Sequence, residues 1–150
     1  FKTLKGLTNR EQLKNKFFLL EEFILDQIKI KNKINHINFD KEVVIHGHCH
    51  QKSQNRMKGL FKLLDTSNIK YKMIDSSCCG MAGSFGYNSK NYDISKKMAY
   101  LSLIPEINKT DKNAFILANG TSCRHQISDF SERKPKHIAE LLFNLFERIN

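Results

Sequence analysis

Long apolar runs are missing from this 150-residue chain, and none approaches the roughly 18 to 20 residues that a bilayer-spanning helix needs. The opening FKTLKGLTNREQ is polar and lacks the apolar core of a signal peptide. The start at Phe1 rather than Met gives the expectation of a fragment of a longer polypeptide. Cysteine is scarce, with four residues in all. Without a leader, four thiols read as metal or redox chemistry rather than as a disulfide framework. Arginine is also rare, 5 residues against 20 lysines in a chain of net charge +10. The lysines are scattered and Arg is the better phosphate fork, so the charge reads as compositional bias and nucleic acid is not an expected partner. No internal repeat or low-complexity linker divides the sequence. With 40% hydrophobic residues the chain can bury a core of its own, and one domain over 1–150 is expected.

What is present is periodic. From Glu11 to about Lys31, Leu13, Phe17, Leu20, Phe23, Ile24 and Ile28 recur at three- and four-residue steps. That spacing predicts an amphipathic helix over about 11–31. After the polar KNKINHINFDK come three short apolar runs: EVVIH (42–46), KMID (72–75) and AFILA (114–118). They are β-rich and not cleanly alternating, as strands buried on both faces of a parallel sheet would be. Helical patterns separate them. One covers 51–64, with Met57, Leu60, Phe61 and Leu64; another covers 89–103 and is expected to end before Pro105. A last helix should start near Pro135 and present Ile138, Leu141, Leu142, Leu145, Phe146 and Ile149. The alternation predicts an α/β fold in three layers, a mostly parallel sheet with helices on both faces and a core over about 41–149.

On that map the cysteines converge. Cys49 falls four residues after Ile45, Cys78 and Cys79 four and five after Ile74, and Cys123 five after Ala118. All four are expected in loops leaving the C-terminal ends of strands, the edge where open α/β sheets bind ligands. Four-thiolate zinc lacks its usual paired-loop spacing here, and adjacent cysteines reach two corners of one small tetrahedron with difficulty. An iron–sulfur cluster presents separate irons. The competing readings are inert buried cysteines, a zinc-binding or metal-free interaction module, and a vicinal Cys78–Cys79 dithiol that cycles with its disulfide. Gly80, Gly83 and Gly86 would let the backbone turn tightly and aim amides at negative charge. HGHCH sets His46, His48 and His50 around Cys49, and His125 follows Cys123 by two. Their expected role is hydrogen bonding to sulfur or to loop carbonyls, with direct ligation the lesser alternative.

Together, HGHCHQKS, SSCCGMAGSFGYNSKNYDIS and ANGTSCRHQI resemble the cysteine-rich CCG domain found in heterodisulfide reductase and in the iron–sulfur component of glycolate oxidase. The likeness is greater to the C-terminal part of FAD-linked dehydrogenases that oxidise D-2-hydroxy acids such as D-lactate or D-2-hydroxyglutarate. It covers about residues 41–142. It implies a 4Fe–4S cluster on Cys49, Cys78, Cys79 and Cys123, with His48, His50, Ser122 and the amides of Gly80 and Gly83 tuning it by hydrogen bonds. It further implies an electron-transfer module that does not turn over substrate alone, with FAD carried elsewhere in the full polypeptide. The implied partners are that flavin domain, a further iron–sulfur domain and an electron acceptor such as a quinone. The implied location is cytoplasmic, with the inner face of the membrane as the alternative. The family's pattern closes with CxxC, whereas the last of those positions here holds Gln126. That departure bears on the five-cysteine, non-cubane cluster of the reductase branch; four thiolates suffice for one 4Fe–4S cluster.

Overall fold

The computed structural model describes residues 17–27 and 39–147. Among them are seven α-helices and three strands. In chain order they are α1 (Leu20–Gln27), β1 (Val43–His46), α2 (Cys49–Ser53), α3 (Lys58–Thr66), β2 (Tyr71–Met73), α4 (Tyr92–Leu101), α5 (Leu103–Asn108), β3 (Phe115–Ala118), α6 (Thr121–Phe130) and α7 (Ile138–Glu147). The sheet is wholly parallel in the order β2-β1-β3, with Val43 opposite both Tyr71 and Phe115.

All four residues of β1 are buried, because side chains alternate between two covered faces. Val43, Ile45 and Leu117 pack with Leu60, Leu63 and Leu64 of α3 and with Leu141, Leu142 and Leu145 of α7. Val44, Ile116 and Ala118 pack on the other side with Ala99 of α4, Leu103, Ile104 and Ile107 of α5, and Ile127 of α6. This is the expected three-layer α/β arrangement, and each fully buried Leu or Ile contributes about 1.5–3 kcal/mol. Beyond β3, Lys136 adds a single parallel bridge to Leu117, its amide donating to the Ile116 carbonyl at 2.8 Å.

Several boundaries differ from the sequence expectation. The strands start or stop one or two residues away from the apolar runs. The 51–64 pattern is two helices, α2 and α3, separated by a turn in which Asn55 takes φ +54°. Helix α4 ends at Leu101, before Pro105 as expected, but Pro105 lies inside a further helix. It is the third residue of α5, where a missing amide proton leaves no intrahelical bond unmade. The last helix begins at Ile138 rather than near Pro135. Of the helix expected over 11–31, Leu20–Gln27 is seen, and the rest lies outside the described residues. Helix α6 has no counterpart in the sequence expectation. No helix among the described residues is long and apolar enough to cross a membrane.

Helix α1 is tied to the turn before α3 by a two-pronged contact: Arg56 Nη2 to Glu22 Oε2 at 2.5 Å and Arg56 Nε to Glu22 Oε1 at 3.2 Å. The Arg56 guanidinium holds the Glu22 carboxyl below its ordinary 4.5. A carboxyl depressed on folding stabilises the protein above its unfolded value, and that contribution fades as pH falls through the lower folded value. Glu22→Gln is therefore expected to cost about 0.5–1 kcal/mol at neutral pH, since both partners are part-exposed. In urea titrations the gap between variant and parent should close as the pH drops below the carboxylate range.

Candidate metal centre

The chain leaves β1, goes out to β2 and later returns to β3 on the opposite side of β1. Strand order therefore reverses at β1, and the crevice outside the carboxyl ends of β1 and β3 is the ligand position of an open α/β sheet. Cys49 follows the central strand, the Cys78–Cys79 pair follows β2, and Cys123 follows β3, so the thiols approach from three junctions. Only Cys78 and Cys79 occupy a loop. Cys49 is the first residue of α2 and Cys123 the third of α6, a correction to the expectation of four loop cysteines. Helix α2 begins nearer its strand than the periodicity showed, and α6 had no expected counterpart.

None of the four is in a disulfide. Cys79 and Cys123 are buried, while Cys49 and Cys78 are half-buried. The Cys79 thiol is pulled well below the usual cysteine value, chiefly by the hydrogen bond from Cys123 and then by bonds from His46 and the Met81 amide. Cys123 is pushed up, first by donating to Cys79 and then by burial. Burial followed by the charges of Cys78 and Cys79 raises Cys49. All four sulfurs thus feel one another electrostatically, although Cys49 and Cys123 stand far apart in the chain. Negative charge on them is met by backbone amides: that of His50 on Cys49, that of Gly80 on Cys78 at 3.4 Å, and that of Met81 on Cys79.

The junctions are braced by cations. Lys52 Nζ donates to the Ser76 carbonyl at 2.5 Å, holding α2 to the loop just before the cysteine pair. Arg124 caps the β3–α6 turn, donating to the carbonyls of Ala118 and Asn119 at 3.0 and 2.8 Å. Gly120 is required where it stands, since a Cβ there would lie 2.3 Å from His48 Cδ2 and 2.9 Å from Cys123 Sγ.

The histidines and Ser122 occupy places the sequence did not reveal. The His48 ring packs on Gly120 at the mouth of the site, held below its usual value by burial and by His50. His50 is exposed, edge-on to His48 at 5.1 Å, and reaches Cys49 through its amide. Ser122 Oγ donates to the Gly83 carbonyl at 3.1 Å, pinning the glycine loop to α6. Gln126 is buried and donates from Nε2 to the Ser95 carbonyl and hydroxyl, both at 3.1 Å, so it ties α6 to α4 behind Gly80. His46, expected with His48 and His50 to bond sulfur or a loop carbonyl, is buried with Nδ1 2.8 Å from Ser76 Oγ. Its signal was its place as the last residue of a strand buried on both faces.

Among the described residues, no three His, Cys, Asp or Glu side chains are grouped closely enough to share a single metal ion. A mononuclear zinc site needs four ligands about 2.0–2.3 Å from one centre. Four free thiols at one edge of the sheet, with the Gly80 amide 3.4 Å from Cys78 Sγ, form the donor set of a thiolate-held group.

A family model described as a cysteine-rich domain, CCG, matches residues 43–128. D-2-hydroxyglutarate dehydrogenase of Pseudomonas putida is 34% identical over 73 residues, 49% of this chain and 7% of that protein. The enzyme of the same name from Pantoea ananatis is 34% identical over 76 residues, 51% of this chain and 7% of its own. A component of the anaerobic glycerol-3-phosphate dehydrogenase of Escherichia coli K12 is 26% identical over 102 residues, 67% of this chain and 25% of that protein. The chain therefore spans a small part of each relative. No solved structure gives a significant match.

Proposed function

The chain belongs to the CCG cysteine-rich domain family, and from that premise we propose that it is the iron–sulfur electron-transfer module of an FAD-linked D-2-hydroxy-acid dehydrogenase. The observation that carries this reading is the meeting of four free thiols from three strand–helix junctions at the sheet's switch point. Cys49, Cys78, Cys79 and Cys123 would hold a 4Fe–4S cluster, which when bound takes up and releases single electrons. The amides of His50, Gly80 and Met81 favour negative charge on the sulfurs. His48 and Gly120 wall the mouth of the site. Substrate oxidation would belong to a flavin domain, and the partners would be that domain, a further iron–sulfur domain and the acceptor.

Anaerobic reconstitution with iron and sulfide tests the reading. Iron and acid-labile sulfide should each reach about four per chain, and the reduced protein should give the paramagnetic signal of a one-electron-reduced cluster. Stoichiometric zinc without sulfide would sink it and leave the interaction module in its place.

A further inference from the structure

The loop that follows the cysteine pair is wound around one side chain of α4. A Cβ at Gly80 would collide with the Ser95 carbonyl oxygen, and one at Gly86 with the Ser95 hydroxyl. Between the two glycines, the Met81 thioether accepts from that hydroxyl at 3.8 Å. The Gly86 amide then closes the loop on the Met81 carbonyl at 3.1 Å. Ser95, 2% exposed, is therefore the seat of residues 80–86. Gln126, equally buried, holds that seat from α6, with Nε2 3.1 Å from both the carbonyl and the hydroxyl of Ser95. A carbonyl only accepts, so the amide nitrogen faces it, and the two N–H groups of that nitrogen serve both oxygens. Cys123 lies three residues before Gln126 on the same buried face of α6. The helix that presents Cys123 also grips the seat of the loop that presents Cys78 and Cys79.

We propose that Gln126 is a positioning residue for the cysteine pair: by fixing Ser95 against α6 it sets how the Cys79–Met81 segment is seated and how far the pair stands from Cys123. Without this clamp, α4 and α6 would still pack through Ala99 and Ile127, but the loop would leave its seat. The consequence for a bound group rests on the cluster proposed above; the seating of the thiols does not.

The unloaded 150-residue chain supplies the test. Brief native exposure to iodoacetamide, read cysteine by cysteine by mass spectrometry, reports how often each thiol is uncovered. Cys79 is 4% exposed and should react slowly in the parent. Gln126→Met keeps the side chain's length and removes both donors. It should speed alkylation of Cys79 about tenfold, the change that about 1.4 kcal/mol of lost closing free energy gives. Exchange of the Gly86 amide should quicken with it, while the amides of β1 and α7 keep their protection. If Gln126 only fills space, methionine leaves both rates at the parental value and the proposal falls. Leu145→Ala, in the core on the other face of the sheet, is the control for general loss of stability: it should loosen α7 and not the Gly86 amide. Equal quickening of that amide in this control would also overturn the clamp. Ser95→Ala keeps the carbonyl and removes the hydroxyl, so Cys79 should react faster than in the parent but more slowly than in Gln126→Met. Should Gln126→Met fail to fold, Ser95→Ala decides, and a parental rate at Cys79 overturns the proposal. Failure of the parent to load any cluster would count against the function proposed above and leave the alkylation result standing.

Discussion

Replacing Cys123 with serine is expected to abolish iron and sulfide incorporation and to destabilise the fold, whereas Cys78→Ser should abolish incorporation and leave stability nearly intact. The difference follows from where each thiol sits. Cys123 is 2% exposed within the core formed by Val44, Ile74, Ile116 and Ile127. A thiol behaves there as a small hydrophobe, but a hydroxyl must be desolvated, at about 1–3 kcal/mol from mutational experience. The Cys79 sulfur would also lose the first of its hydrogen-bond donors or exchange it for a hydroxyl on a shorter arm. Cys78 is half-buried and accepts one long bond from Gly80, which a serine oxygen can accept as well. Its replacement should fall within about 0.5 kcal/mol of the parent. Urea midpoints report the stability of each variant, and iron and sulfide after reconstitution report loading. A Cys123→Ser chain that keeps its full iron content would remove that thiol from the ligand set.

The sheet and the placing of the cysteines after its strands could be read from sequence for one physical reason. A strand buried on both faces, such as VVIH, admits almost no polar residue, and its C-terminal end locates whatever follows. Helix α6 hid because TSCRHQISDF buries only Cys123, Gln126 and Ile127, and Gly120 ahead of it offers no side-chain cap. Two of those buried residues read as site chemistry or as a polar surface position, so the helical stripe vanished into them. Helix α5 hid for another reason: Pro105, read as the stop after α4, sits in its first turn. Proline is a strong stop signal that is harmless in a first turn. Within the site, the adjacency of Cys78 and Cys79 invited a vicinal pair. The fold turns Cys79 inward to Cys123 and leaves Cys78 nearer the surface. Which sulfur faces the core, and that the buried His46 ring bonds Ser76, depends on side-chain directions at separate junctions. One-dimensional spacing carries none of that.

Gly80→Ala should be the most damaging of the conservative changes in the glycine loop, and Gly83→Ala the control that shows why. At Gly80 an added Cβ would lie 2.2 Å from the Ser95 carbonyl oxygen and 3.1 Å from Gln126 Nε2. That carbonyl belongs to the backbone of α4 and already accepts from Gln126, so neither the oxygen nor its partner can step aside without moving a helix. The residue also has φ +94°, which L side chains rarely adopt. Overpacking at about 1–3 kcal/mol and left-handed strain at about 1–2 combine to roughly 2–5 kcal/mol, a large share of the 5–15 that holds a typical domain. Gly83 has φ +72° but nothing within 4 Å of its added Cβ, so it should lose only the strain, about 1–2 kcal/mol. Loading should divide the same way. The Gly80 amide lies on Cys78 Sγ, and a loop forced off α4 carries that donor and both thiols with it. Gly83 contributes its carbonyl to Ser122, a bond that an alanine can keep. Urea midpoints and iron content should therefore both fall steeply for Gly80→Ala, while Gly83→Ala loses a little stability and still loads. Equal losses in the two variants would mean that backbone strain alone, and not the contact with α4, makes glycine necessary beside the cysteine pair.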